Sequence, residues 1–508
     1  MRRYCLYVVI LLSTLTAPAL GQESQLQAEF RQEGKHFDES CKPAHPSPGN
    51  PNITTHPSFF GCLEVFFTDH PLHIAVGSIA PQNGFGAGPA FVTHWTPDER
   101  DKHRPIFFMN YPWRLNFNAD GIVSSNGSWR AGVYTKAVHI PEKRGHESTT
   151  APTSSGGLQP DWVLHVYAQA TSLNKIAYYG LGPATTRPDA SFFGQLETVV
   201  GMDVTYIVPT RTPALKRLNL SLFGEANGRF VDLRESRGQS SPSIEQLYTE
   251  ATAPGLTTQP SFAQFGEAIL LRPKISNRVR FNYSLKYQQY FAPGDSRFSF
   301  QRLTVDLAHQ ILLETKTREL VPLEHNGPDD CSTSATDSKH ACTPFDGPTL
   351  KANPSDPNKP KHTYDREGSI NLRFLLSESY TSSGHVVPFY FQPTLGGSDI
   401  DGKSSLASFQ DYRFRAPNLM LLQGSIEHSL PRLPIGVIFM AETGKVALTH
   451  GDIEFKHLRH SYAAGLTLRA GGFPMVYLMY AWGSGEGTHT IASMNTSLLG
   501  GSSRPSLY

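Results

Sequence analysis

The chain of 508 residues is short of several things, and each shortage removes a class of function. It has no excess of either charge: 45 lysines and arginines stand against 44 aspartates and glutamates. A formal net charge of +1 leaves no electrostatic footprint for nucleic acid or strongly acidic ligands, so partners of those kinds are not expected. Long apolar runs are missing beyond the N-terminus, so no helical membrane span is expected in the mature chain. Amphipathic helix patterns are nearly absent. The sequence also lacks G-x-S-x-G, H-E-x-x-H and a Walker A loop, and no enzyme is expected. The Gly-rich stretch from Trp482 to Gly487 joins two strand-like segments and reads as a loop. His457 and His460, three apart, would point to opposite faces of a strand, which argues against a shared metal; no metal and no cofactor are expected.

Cysteine is scarce as well, with five in the chain. Cys5 lies in the opening segment, where Arg2 and Arg3 precede an apolar run from Tyr4 to about Leu15 and small residues stand at Ala17, Ala19 and Gly21. This is the pattern of a secretory signal over residues 1–21, too short for the ~20 residues of a helical anchor. The other four form two local sets in polar segments, Cys41 with Cys62 and Cys331 with Cys342. Disulfides suit an exported chain, and pairing within each set is the simplest of the three connectivities; metal binding is the rival, though there is no C-x-x-C.

What the sequence has in quantity is alternation. In RVRFNYSLKYQ, Val279, Phe281, Tyr283, Leu285 and Tyr287 interleave with Arg278, Arg280, Asn282, Ser284, Lys286 and Gln288, which is a strand with two unlike faces. The pattern recurs in Trp113–Asp120, Arg302–Ile311 and Ile370–Ser377. With weaker segments it gives about fifteen or sixteen strands, an antiparallel all-β chain. The apolar side could meet a protein core, as in a sandwich, or lipid, as in a transmembrane barrel around a wet lumen. Strands of 10 to 13 residues, an export signal and aromatics near strand ends, among them Trp95, Trp129 and Trp482, favour lipid. Unpaired backbone groups cost several kcal/mol each in hydrocarbon, so the first and last strands are expected to close a ring. Residues 22–72 read as a polar lead-in, 73–499 as the barrel, 314–367 as a polar insertion and 500–508 as a tail.

Two stretches carry a family resemblance. YYGLGPATTR followed by SFFGQLETVVGMDVTYIV, and FYFQPTLGGSDIDGKSSLASFQDYRFRAPNL followed by VIFMAETGKV, resemble the bacterial surface antigen type of barrel, the BamA/TamA superfamily. The resemblance implies a sixteen-stranded outer-membrane barrel of a Gram-negative-type bacterium whose sixth external loop, here 392–416, folds back into the lumen. It also implies a role in assembly, insertion or translocation of other polypeptides, with lipid, client polypeptides and periplasmic factors as partners and a monomeric barrel. In that family the loop carries L-G-G and then an arginine motif whose guanidinium meets an acid on the wall. Leu395, Gly396 and Gly397 match the first part, but Leu406, Ala407, Ser408 and Phe409 stand where the arginine motif is expected. The wall acid is kept as Glu442. The expectation is that Arg413 or Arg415 takes over that contact; the plainer alternative leaves Glu442 in lumen water. Tyr179, Gly180, Leu181 and Gly182 form the family's turn motif.

Two departures bear on function. The lead-in is too short for even one of the POTRA domains that family members usually carry, which weighs against insertase activity, and GGSSRPSLY displaces the usual terminal-strand aromatic. A passive channel, a transporter or a structural surface protein is the alternative function. Arg114, Asp120, Arg280, Lys286, Arg302, Asp306 and Arg373 would line a conduction path, or else pair with other interior charges.

Overall fold

In the computed structural model the described residues are 72–95, 113–140, 160–209, 217–236, 242–276, 278–318, 352–353, 356–360, 362–399, 403–430, 435–470, 473–484, 486 and 488–494. The expected signal over 1–21, the expected pairings of Cys41 with Cys62 and Cys331 with Cys342, and the expected tail at 500–508 fall outside them.

Sixteen strands form one antiparallel sheet in which each pairs with its neighbours in the chain. They are β1 Leu72–Ser78, β2 Phe85–Trp95, β3 Trp113–Ser124, β4 Trp129–His139, β5 Trp162–Tyr178, β6 Ser191–Ile207, β7 Leu220–Glu235 and β8 Phe262–Leu271. The second half comprises β9 Val279–Phe291, β10 Phe300–Arg318, β11 His362–Tyr380, β12 Asn418–Ser429, β13 Ile435–Ala447, β14 Arg459–Ala470, β15 Phe473–Gly483 and β16 Thr488–Met494. No helix among the described residues is long and apolar enough to cross a membrane. Even a strand of 10 residues, such as β8, spans about 33 Å at ~3.3 Å per residue, enough to cross a ~25 Å apolar band at a ~40° tilt.

Burial identifies the solvent on each face. Leu285, Phe265 and Val200 on one face are 46, 55 and 51% exposed, and Leu372, Phe439 and Leu478 belong to the same belt. Glu197, Arg229 and Gln264 on the other face are buried. A soluble sandwich would bury the first set and expose the second. This inverted polarity, spread over most of the strands, is that of a transmembrane β-barrel, since contiguous apolar surface of this extent is not left to water.

The buried face is paired. Arg229 donates to Glu197 at 2.8 Å and to Gln264 at 2.5 Å, while Lys286 meets Glu225 at 3.0 Å. Arg130 bonds Asp120 at 3.2 Å, and Arg373 holds Asp306 through two bonds of 2.9 and 3.0 Å. Most of the interior charges picked out from the sequence therefore belong to cross-strand pairs, whereas Arg114 and Arg280, near the opposite end from the in-folded loop, are exposed.

Two expectations are modified. The polar segments at both ends of 314–367 are strand: Glu314–Arg318 pairs with His362–Arg366 beyond a register shift at Leu313. The two stretches read ETKTR and HTYDR, almost wholly polar, which is why apolar alternation does not reveal this ladder. The expected ring closure is also not made by a backbone ladder among the described residues, where β1 pairs only with β2 and β16 only with β15. Within the described residues, which begin at Leu72 and end at Met494, β1 and β16 each comprise 7 residues.

Candidate functional site: the seam and the in-folded loop

The segment between β11 and β12, residues 381–417, turns back into the interior. Its first half is an aromatic plug: Phe389, Tyr390 and Phe391 are buried against Tyr178, Phe193 and Phe262. Two buried arginines brace it. The Arg302 guanidinium lies 5.5 and 5.4 Å from the Tyr290 and Phe300 rings and donates to the Phe391 carbonyl. Arg415 Nη1 donates to the Phe389 carbonyl at 2.7 Å. A weakly hydrated guanidinium stacked on aromatic faces tolerates such burial better than an ammonium would.

The second half packs on the inner wall of β11 to β13, where Leu395, Leu406, Phe409 and Phe414 cluster with Leu375, Leu421 and Val446. Thr394–Leu395 pairs with Phe414–Arg415 as a short ladder. Between them Gly396 and Gly397 adopt φ of 95° and 78°. A Cβ at Gly397 would stand 2.1 Å from Asp411 Oδ1, so the L-G-G signature serves both a left-handed backbone and a close approach.

Glu442 does meet the loop, but through neither arginine. Its Oε2 accepts the Ala407 amide at 2.6 Å and its Oε1 accepts Gln423 Nε2 at 2.7 Å. The next amide, Ser408, donates to Ser461 Oγ at 2.8 Å. The expected Arg413 or Arg415 substitution is therefore corrected. The position that lost its guanidinium keeps the contact with its backbone N–H, and Leu406, at φ 44°, turns the chain to aim it. Two successive amides facing a carboxylate and a hydroxyl fix the tip without any cation. Glu442→Ala removes the acceptor from both donors and should cost about 1–3 kcal/mol of loop stability, measured as an earlier thermal loss of gel heat-modifiability.

Arg413 is engaged elsewhere. Its Nε donates to Glu486 Oε1 at 2.6 Å, and its Nη1 and Nη2 donate to Thr185 Oγ1 and the Thr185 carbonyl at 2.8 and 2.6 Å. The turn motif is the other half of this contact. Gly182 N–H donates to the Arg415 carbonyl at 2.7 Å, with Gly180 and Gly182 at φ of 93° and 92°. With its amide nitrogen toward Tyr179, Gln410 donates to the Tyr179 hydroxyl at 2.6 Å and accepts from Arg187 at 2.7 Å. Burial pushes the Tyr179 phenol up to about 12, so it stays a neutral partner. The turn motif and the loop motif, separately legible in the sequence, are thus two sides of one interface; Thr185, Arg187, Gln410 and Glu486 carry no local signature that would mark them.

At the seam a cavity of about 910 Å³ is lined by Gly77 and Ser78 of β1, by His489 to Ala492 of β16, and by loop residues including Ser398, Ala407 and Asp411. Gln82, in the turn after β1, and His489 line the same cavity as Asp411. Burial raises its pKa, and these two neighbours oppose the rise. Among the described residues no group of three or more His, Cys, Asp or Glu side chains is placed to hold a metal ion.

Neither a known family model nor a curated protein matches the sequence. Among solved structures, CdiB from Acinetobacter baumannii is similar at 10% identity over 81% of this chain and 56% of that one, with a TM-score of 0.42. CdiB from Escherichia coli is similar at 10% identity, covering 83% and 61%, with a TM-score of 0.44. BamA from Haemophilus ducreyi lacking POTRA domains 1–3 is similar at 9% identity, covering 90% and 80%, with a TM-score of 0.41. The chain spans less than two thirds of the length of the two CdiB structures. Sixteen antiparallel strands and an in-folded loop between the eleventh and twelfth are the architecture that the surface-antigen resemblance implies, and they are the architecture found.

Proposed function

We propose that the chain is an exported outer-membrane barrel that assists the assembly, insertion or translocation of other polypeptides, with the seam between β1 and β16 as its working element. The observation that carries this reading is the pair of sheet edges flanking a cavity, with no ladder between them among the described residues. In hydrocarbon an edge of unpaired N–H and C=O groups is costly, and an incoming extended segment would satisfy those groups by adding a strand.

The channel reading is favoured less, because the paired interior charges and the loop across the lumen obstruct a conduction path among the described residues. Depletion of the protein, followed by a census of other outer-membrane barrels and secreted chains, should show selective losses; unchanged levels would contradict the proposal. Steady, solute-selective openings in planar bilayers would instead favour the channel.

A further inference from the structure

We infer that the outer face of β8 and β9 is an intramembrane interface for a second copy of this chain, built on Glu267, Tyr287 and Gln289. The inference departs from the single barrel that the family resemblance implies. It does not compete with the seam, because β8 and β9 stand at the middle of the strand order and leave the edges β1 and β16 free.

Glu267 stands on the lipid-facing side of the wall. Along β8 it alternates outward with Phe265 and Ile269, while Gln264 and Ala268 are buried on the inner side. Phe265 and Ile269 are 55 and 46% exposed, and the carboxylate between them is exposed as well. Glu267 is the sixth of the 10 residues of β8, so about 13 to 17 Å of strand separates it from either end at ~3.3 Å per residue. A charge at that depth is costly, and a side chain this short does not reach the membrane surface as a lysine does. Among the described residues Glu267 has no hydrogen bond and no ion pair. His309 shows the ordinary solution: it also faces outward, on β10, and the Tyr283 hydroxyl meets its Nε2 at 2.7 Å.

The neighbours of Glu267 make the patch self-complementary. Tyr287 of β9 stands directly across from it in the ladder, with Gly224 of β7 on its other side. The Tyr287 hydroxyl accepts from Gln289 Nε2 at 3.2 Å, which leaves its own O–H to donate. Acceptor and donor thus lie side by side on one patch. Two barrels in one membrane are related by a two-fold axis along the membrane normal, and such an axis passing between β8 and β9 exchanges the two strands. It sets Glu267 of each copy against Tyr287 of the other, and the contact is made twice. Gly224 adds no side chain beside the carboxylate, so a second wall can approach closely. A lipid tail offers Glu267 no donor, and a foreign protein would have to supply one that this chain already carries.

The test places the photocrosslinker p-benzoylphenylalanine at Phe265, the outward residue next to Glu267, in liposomes that hold this protein alone. The same label at Leu466, outward on β14, is the control. Irradiation should give covalent dimers from Phe265 and not from Leu466. Glu267→Leu and Tyr287→Phe should each lower the dimer yield about tenfold, whereas Glu267→Gln, which keeps a hydrogen-bonding group, should retain most of it. Because Glu267→Leu takes a charge out of lipid, its barrel should resist urea at least as well as the parent, so a lost dimer is not a lost fold. Equal yields from the two labelled positions, or an undiminished yield in Glu267→Leu, would overturn the interface. Adducts from Phe265 only to lipid, or in intact cells only to a different outer-membrane protein, would overturn the second copy as its occupant.

Discussion

Arg373→Ala is expected to destabilise the folded wall by about 3–5 kcal/mol, the cost typical of removing one member of a buried ion network. The Arg373 guanidinium holds Asp306 of β10 in a bidentate grip, reaches Asp399 on the in-folded loop at 2.5 Å and adds Gln423 of β12 at 3.1 Å. The Asp399 side chain is fully buried, so truncation leaves its charge in a low-dielectric interior. Lys403, which also meets Asp306 at 3.2 Å, is half exposed and offsets little of the loss. Arg373→Lys keeps the charge but not the fork, and should recover part of the stability. Urea titration of the protein in detergent or liposomes measures both; a loss under about 1 kcal/mol for Arg373→Ala would show that loop and wall are not coupled there.

Val200→Arg should cost about 2–4 kcal/mol, because it places a charge on the outer face at mid-strand. Val200 lies on β6 between Ala168 of β5 and Gly228 of β7, with half its surface exposed. As a control, Asn116→Arg on the inward face of β3, an exposed position, should change stability by less than about 1 kcal/mol, since the lumen is wet. The two substitutions add the same side chain, so their difference reports the solvent on each face. Equal effects would remove the case for lipid.

The wall was legible because alternation is a local signal. Val279 to Tyr287 names its own two faces from the sequence alone, and toward the loop end of that strand burial follows them: Leu285 is exposed while Gln288 is buried. The loop and the turn at Tyr179–Gly182 were legible through resemblance, since left-handed glycines leave a mark in the sequence. The partner of Glu442 was not, because every residue but proline carries the amide that Ala407 uses. Arg413 and Glu486 lie 73 positions apart on irregular segments, and no period connects them. Phe389–Phe391 stood in plain sight inside the loop motif, yet a short aromatic run does not say which wall it will plug. The pairing at the seam was not legible for a related reason: apolar patterning says that an edge must be satisfied, but ladder pairing depends on the register of two strands far apart in the chain.

The central claim is that the alternating apolar face meets acyl chains and the other face a wet interior. Single cysteines at successive positions from Phe281 to Tyr287, each carrying an environment-sensitive fluorophore, test it directly in liposomes of brominated lipid. Strong quenching at Phe281, Tyr283, Leu285 and Tyr287, alternating with weak quenching at Asn282, Ser284 and Lys286, is the result this account requires. Quenching that does not alternate, or that is strongest at the even positions, would contradict it.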